Sequence, residues 1–314
     1  MFVRGRRLRI GVQIQAQRTT WQSFSTALLG IEELGFDTVW TFDHLLPFSG
    51  PDDGTAFETL TTLSAMAVMT SRIRVGVLVN GVLYRDPATL AKSAALVDQI
   101  SGGRLEFSLG AAWAEREFRA YGLAYPPLAE RYERLDEALQ IVRSLWTEQR
   151  TTFHGRHYRV EDAPCEPKPV QRPHPPIMIG GSGTGSLRAA ARHATSVNVQ
   201  GSAAKCAEAA ARLEGICDQL GRDVADIELS WHGQLALAPT HAAADASARQ
   251  VATGHGQDLE SQRGNWLLGT PAEVAEQIRG YAAAGVSHLV VGIGHPFDLE
   301  PLRLLQEQVR PLVV

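Results

Sequence analysis

Short β-rich runs alternate with longer amphipathic stretches along the 314 residues. That alternation predicts an α/β fold, specifically a (β/α)₈ TIM barrel with insertions. Eight strand–helix units can be counted, and the first strand runs into Gln15-Ala16-Gln17-Arg18-Thr19-Thr20 without a glycine. The competing architecture, a doubly wound open sheet, predicts about six strands and a glycine fingerprint at that point.

The elements follow in order. Ile10 to Ile14 reads as the first strand and Trp21 to Leu34 as its helix, stopping at Gly35. Thr38 to Phe42 is the second strand, Phe57 to Met69 the next helix, and Ile73 to Val79 the third strand. Pro87 opens a helix through Ile100, since proline suits a first helical position. Leu105 to Leu109 is the fourth strand, followed by a long helix from about Leu128 to Trp146. The stretch from about 147 to 176 breaks the rhythm with two β-like runs around His154-Gly155 and then six prolines. It reads as an inserted hairpin and an extended arm within one domain spanning 1–314. Ile177 to Ile179 is the fifth strand, Ser186 to His193 a helix, and Ser196 to Val199 the sixth strand. Lys205 to Leu220 is helical, and Ile227 to Ala238 a seventh strand broken by His232-Gly233. A loop or lid is expected at about 254–268. Thr270 and Pro271 start a helix as cap and first residue. His288 to Gly292 is the eighth strand, and a last helix runs to about Val309.

Composition excludes several function classes. With a net charge of −4, no electrostatic footprint for nucleic acid is visible. No apolar run approaches a membrane span. Three cysteines without a C-x-x-C pattern fit a reducing, cytoplasmic compartment. Lysine occurs only at 92, 168 and 205, and none of these ends a strand, which argues against Schiff-base chemistry. No G-x-S-x-G elbow occurs. Ten histidines lack companions at ligand spacing, so no metal is expected.

Three constellations carry chemistry. Asp43 and His44 sit where the second strand ends, which is where parallel α/β folds bind ligands. An acid and an imidazole there can orient a ring or move a proton. Gly180-Gly181-Ser182-Gly183-Thr184-Gly185 follows the fifth strand and opens a helix, the form of a phosphate cradle. Gly110-Ala111-Ala112 after the fourth strand leaves room for a flat ligand, with Trp113 as a pocket wall. Gly102-Gly103-Arg104 lies at the opposite barrel end and reads as structural.

These pieces, in order along nearly the whole chain, resemble the luciferase-like monooxygenase (bacterial luciferase-like) family. The matching stretches are Leu34 to His44, Arg85-Asp86-Pro87 with Leu90-Ala91-Lys92, Ser101 to Leu105, Pro176 to Gly183 and Gly269 to Val274. The chain is most similar to the branch that uses the deazaflavin coenzyme F420. The resemblance implies that Asp43 bonds the ring system and that His44 handles a substrate proton. It also implies a non-prolyl cis peptide at Leu78-Val79 behind the ring, beside Asn80, and a phosphate on Gly180, Gly181, Ser182, Gly183 and Thr184. One departure stands out: sugar-phosphate dehydrogenases of the family carry a glutamate where this chain has Trp113, with Glu115 two residues on. A fairly apolar substrate, met by Trp40, Trp113 and Leu78, fits better. The expected activity is hydride transfer to or from F420. The alternatives are an FMN-dependent monooxygenase using reduced flavin and dioxygen, and a non-catalytic flavin-binding barrel. The expected partners are the small-molecule substrate, a second copy of the chain in a homodimer, and an F420- or flavin-reducing enzyme.

Overall fold

The structure, a computed structural model, describes residues 7–254, 256 and 258–314. Eight strands close into a parallel barrel: β1 (Arg9–Ile14), β2 (Thr38–Thr41), β3 (Arg74–Val77), β4 (Leu105–Leu109), β7 (Ile177–Gly180), β8 (Ser196–Val199), β9 (Glu228–Leu237) and β11 (Val286–Ile293). β11 pairs with β1 and β9 with β8, so no barrel edge remains. The strands are rich in apolar residues because both faces are covered; all of β2 and β4 is buried. Between β4 and β7 the insertion forms an antiparallel hairpin of β5 (Thr151–His154) and β6 (Arg159–Ala163). The short strand β10 (Trp266–Gly269) extends the sheet outside the barrel, pairing with the far half of β9.

Helices α1 (Trp21–Glu33), α2 (Thr59–Met69), α3 (Pro87–Ile100), α4 (Glu115–Ala120), α5 (Leu128–Thr147), α6 (Thr184–His193), α7 (Ala203–Leu220), α8 (His241–Gly254), α9 (Leu259–Gln262) and α10 (Pro271–Ala283) surround the barrel. Their starts are written locally. Asp86 accepts from the N–H groups of Ala88 and Thr89, with Pro87 behind it. Thr270 and Glu273 form a reciprocal capping box. Helix α1 gives way to Gly35 at φ +80°, a conformation glycine takes without penalty. Gly102 and Gly103 turn the chain with φ of +64° and +85°, and Arg104 ties that turn to the carbonyls of Ala67, Thr70 and Ile73. Among the described residues, no helix is long and apolar enough to cross a membrane.

The barrel interior is layered. At the amino-terminal end Arg9 bridges Glu106 (2.8 Å) and Glu228 (2.5 Å), and Arg74 also meets Glu106 (2.6 Å). Above them, Trp40 donates to Thr38 Oγ1 (2.8 Å) and packs with Leu78, Met178 and Val290. The peptide between Leu78 and Val79 is cis, at the residue pair that the family resemblance implies. This packed layer is the floor on which the pocket stands.

Several expectations need correction. The seventh strand is not broken at His232-Gly233; β9 runs through it. Gly233 is there for space, since a Cβ would lie 2.2 Å from the Trp231 ring and 2.4 Å from the Asn265 carbonyl. The expected loop or lid at 254–268 contains α9, a short turn of helix and β10, although residues 255 and 257 lie outside the described residues. Helices α4 and α8 were not anticipated. The remaining strand and helix bounds agree to within a few residues.

Candidate active site

A cavity of about 540 Å³ opens at the carboxyl ends of the barrel strands. Asp43 and His44 enter it from the end of β2, Leu78 to Gly81 and Tyr84 from β3, and Gly110 to Trp113 from β4. Gly180, Gly181 and Ser182 come from β7, Asn198 and Gln200 from β8, and His232 from β9. Tyr125, Leu128, Arg131 and Tyr132, at and before the start of α5, close one side.

His44 does not stand alone. Its Nδ1 lies 2.7 Å from Oε1 of Glu117, a residue of α4 with no solvent exposure. The other oxygen of Glu117 accepts from the Leu45 N–H (2.8 Å) and the Tyr84 hydroxyl (2.8 Å). Burial pushes the Glu117 carboxyl up, but the bonds from His44, Leu45 and Tyr84 outweigh it and hold it below the usual carboxylate range. Burial and then the neighbouring Glu117 push the Tyr84 phenol up, so it stays a protonated donor. An ionised carboxylate on Nδ1 makes that nitrogen an N–H, so in the neutral tautomer the lone pair lies on Nε2. The imidazole is wedged edge-on against Phe42 and Trp113, with ring centroids 5.3 and 5.2 Å away.

Asp43 is pinned from below. Arg85 Nη1 donates to both of its oxygens (2.9 and 2.8 Å), and the Gly81 N–H donates to Oδ2 (2.9 Å). Arg85 is itself shared with Glu58 (2.6 Å). The aspartate therefore ties the end of β2 to the segment after β3.

Behind the pocket, Val79 rises between two glycines. A Cβ at Gly110 or at Gly180 would come within 2.8 Å of Val79 Cγ2, so any side chain there would collide with the wall. The two glycines thus make room for the Val79 side chain, which forms the back wall of the cavity. Two residues of the cavity lining each hold a buried side-chain atom without a partner, Asn80 Oδ1 and His232 Nε2. Asn80 is held through its amide nitrogen on the Ser108 carbonyl (3.0 Å), and His232 Nδ1 lies 3.1 Å from Gln200 Nε2. Burial pushes the His232 imidazole down to about 4, so it is neutral near pH 7.

The glycine loop is arranged differently from a uniform cradle. Gly181, at φ +109°, spends its N–H on the Asn198 carbonyl (2.9 Å). The donors left for an anion come later, at Ser182 and the first turn of α6, where helical N–H groups lack intrahelical acceptors. Gly183 and Thr184 start that helix and do not line the cavity. Tyr132 covers the turn: a Cβ at Gly185 would lie 2.5 Å from its ring.

Two expected pocket residues lie elsewhere. Trp40 is fully buried in the barrel interior beneath the cavity, because its ring fills space opposite Gly76. Glu115 points to solvent and pairs with Arg119 (3.1 Å). The carboxylate that reaches the site is Glu117, two residues on. Sequence reasoning also passed over Tyr84, Arg131, Tyr132, Asn198 and His232. Only two carried a signal: Asn198 as a polar residue between valines in β8, and His232 beside Gly233 as an apparent break in its strand. Trp113 does border the cavity, 68% exposed at its rim.

Comparison with known proteins places this geometry. The family model for luciferase-like monooxygenases matches residues 7–263. The chain belongs to the luciferase-like monooxygenase family. It is 30% identical to an FMNH₂-dependent dimethylsulfone monooxygenase of Pseudomonas putida, over 95% of this chain and 90% of that one. It is 29% identical to an F420-dependent glucose-6-phosphate dehydrogenase of Kineococcus radiotolerans, over 91% of each chain. Its fold superposes on an F420-dependent secondary alcohol dehydrogenase in complex with an F420–acetone adduct with a TM-score of 0.87, at 18% identity, covering 98% of this chain and 99% of that one. The relatives are luciferase-like enzymes, some dependent on F420 and some on FMN.

Proposed function

We propose that this protein is an F420-dependent oxidoreductase that moves a hydride between the deazaflavin and a small organic substrate, with His44 handling the substrate's proton. The observation that carries this reading is the His44–Glu117 pair at 2.7 Å, set in the lining of the barrel-mouth cavity. F420 and FMN both consist of a planar tricyclic ring and a phosphate-bearing arm. The cavity backed by Val79, seated against Gly110 and Gly180, suits such a ring, and Asn80 Oδ1 and His232 Nε2 are unspent hydrogen-bonding atoms beside it. The donors at Ser182 and the start of α6 suit the phosphate. The residues present therefore fit the group.

When bound, the deazaflavin supplies hydride acceptance or donation; the chain supplies position and proton handling. Glu117 holds Nδ1–H of His44, which leaves Nε2 to accept the proton of an alcohol or, once protonated, to return one to a carbonyl or double bond. Tyr84 and the Leu45 N–H keep Glu117 from rotating away. Trp113 at the rim, beside Tyr125, shields the imidazole from bulk water and offers an apolar wall to the substrate.

The test is paired. In His44→Ala, turnover with F420 should fall by about 10² to 10⁴ while F420 affinity is retained. Native turnover in that variant would overturn the role of His44. A second reading, an FMN-dependent monooxygenase, is favoured by the similarity to the dimethylsulfone monooxygenase. Retention of FMN in place of F420 after incubation with both would select it.

A further inference from the structure

We propose that Arg131 is an anion anchor: its guanidinium binds the phosphate, carboxylate or sulfonate of a ligand seated in the pocket. Arg131 lines the cavity and is only 9% exposed. Among the described residues, no carboxylate pairs with it. Its bonds all run from Nη1 to neutral acceptors: the Ala112 carbonyl (2.6 Å), the Tyr125 hydroxyl (2.9 Å) and, at 3.4 Å, the Ala111 carbonyl. Its Nε is buried and has no partner. The guanidinium also lies over the Tyr125 ring, 4.3 Å from the centroid.

Arg104 and Arg222 also lack a carboxylate, but each spreads its N–H groups over at least three carbonyl oxygens at a helix end, and other half-buried arginines have acidic partners. Arg9 has Glu106 and Glu228, Arg74 has Glu106, and Arg85 has Asp43 and Glu58. A guanidinium carries five N–H donors in a fixed fork, and a buried charge without a counter-charge is costly. Position adds to the imbalance. Arg131 sits in the first turns of α5, where the helix dipole disfavours a cation and favours an anion. One anionic ligand group would relieve both terms. Two sources can supply it. Tyr132, the next residue, reaches Ser186 at the glycine loop (3.4 Å), the side on which a coenzyme phosphate would lie. Tyr125, the partner of Arg131, donates to the Trp113 carbonyl (3.0 Å) at the rim, the side on which an acidic substrate would enter.

The inference uses the pocket of the proposed function but not the identity of its cofactor. The experiment starts with the cofactor-free protein, titrated with inorganic phosphate, acetate and methanesulfonate at constant ionic strength and followed by calorimetry. The native chain should bind at least one of them saturably, with Arg131→Met at least tenfold weaker and Arg131→Lys in between, since lysine keeps the charge without the fork. Arg131→Lys also serves if Arg131→Met does not fold. Equal affinity in native and variant proteins, or no saturable binding to the native chain, overturns the proposal. A second arm compares each coenzyme with its phosphate-free analogue, FMN against riboflavin and F420 against its deazaflavin riboside. If Arg131→Met abolishes the preference for the phosphate form, the anion is the coenzyme's. If the preference survives while small anions still bind the loaded native protein and not the loaded variant, the anion is the substrate's. Failure to bind F420 with phosphate binding intact would overturn the cofactor reading alone.

Discussion

Replacing Glu117 by glutamine tests the proton-handling unit at its least obvious member. The carboxylate accepts on both oxygens: His44 Nδ1 on one, the Leu45 N–H and Tyr84 hydroxyl on the other. A glutamine amide has one acceptor and one donor end. Its oxygen can keep Leu45 and Tyr84, but its NH₂ then faces Nδ1. To avoid two opposed donors, the imidazole must surrender the Nδ1 proton and carry it on Nε2, towards the pocket. Packing hardly changes, so the stability loss should be about 1–3 kcal/mol, the difference made by exchanging a charge-assisted bond for neutral ones. The rate loss should be far larger, about 10² to 10⁴, because the base now presents a proton where a lone pair is needed; an amide behind a catalytic imidazole costs about 10⁴ in a serine protease triad. Nitrogen-detected NMR of histidine-labelled protein reads the tautomer without any substrate, and turnover with F420 reads the consequence. A variant whose His44 keeps a deprotonated Nε2, or that turns over at the native rate, would refute this reasoning.

Three further perturbations follow from the same geometry. Gly110→Ala places a methyl within 2.8 Å of Val79, so it should destabilise the fold by about 1–3 kcal/mol and weaken cofactor binding by pushing the Val79 wall out of place, both readable by denaturation and titration. Arg85→Met strands the buried Asp43 carboxylate and should cost about 3–5 kcal/mol in chemical denaturation; a loss below about 1 kcal/mol would mean that Asp43 is not held as an ion pair. His232 is neutral in the folded state with its value pushed down to about 4, against an ordinary 6.5 in the unfolded chain. The unfolded chain therefore binds the extra proton first, and stability is lost as pH falls from about 6.5 through about 4, by up to about 3 kcal/mol. His232→Gln should flatten that part of the pH–stability curve, and an unchanged slope would show that another group causes it.

What could be read from sequence was what is local or periodic. Asp86-Pro87 and Thr270-Pro271 announce helix starts through caps that bond within one turn. The barrel strands announce themselves as short apolar runs because both their faces are covered. Asp43, His44 and the glycine loop were visible because they interrupt such runs at strand ends. Glu117 was not, because its partner lies 73 residues away and α4 is too short to display a period. Choosing Glu115 put the carboxylate about 200° round that helix, facing solvent. Trp40 was taken for a pocket wall because strand alternation tells inside from outside and not which interior layer a side chain fills. β10 was lost in a polar neighbourhood, and alanine-rich α8 lacks a strong apolar stripe.

The central claim is that the barrel-mouth cavity holds F420 and that His44 acts beside it. Equilibrium binding of F420 and of FMN to the purified, cofactor-free chain, repeated on His44→Ala, addresses it most directly. The account predicts that F420 binds more tightly than FMN and that His44→Ala keeps that affinity while losing hydride transfer. Preferential binding of FMN, or a His44→Ala variant that transfers hydride at the native rate, would contradict it.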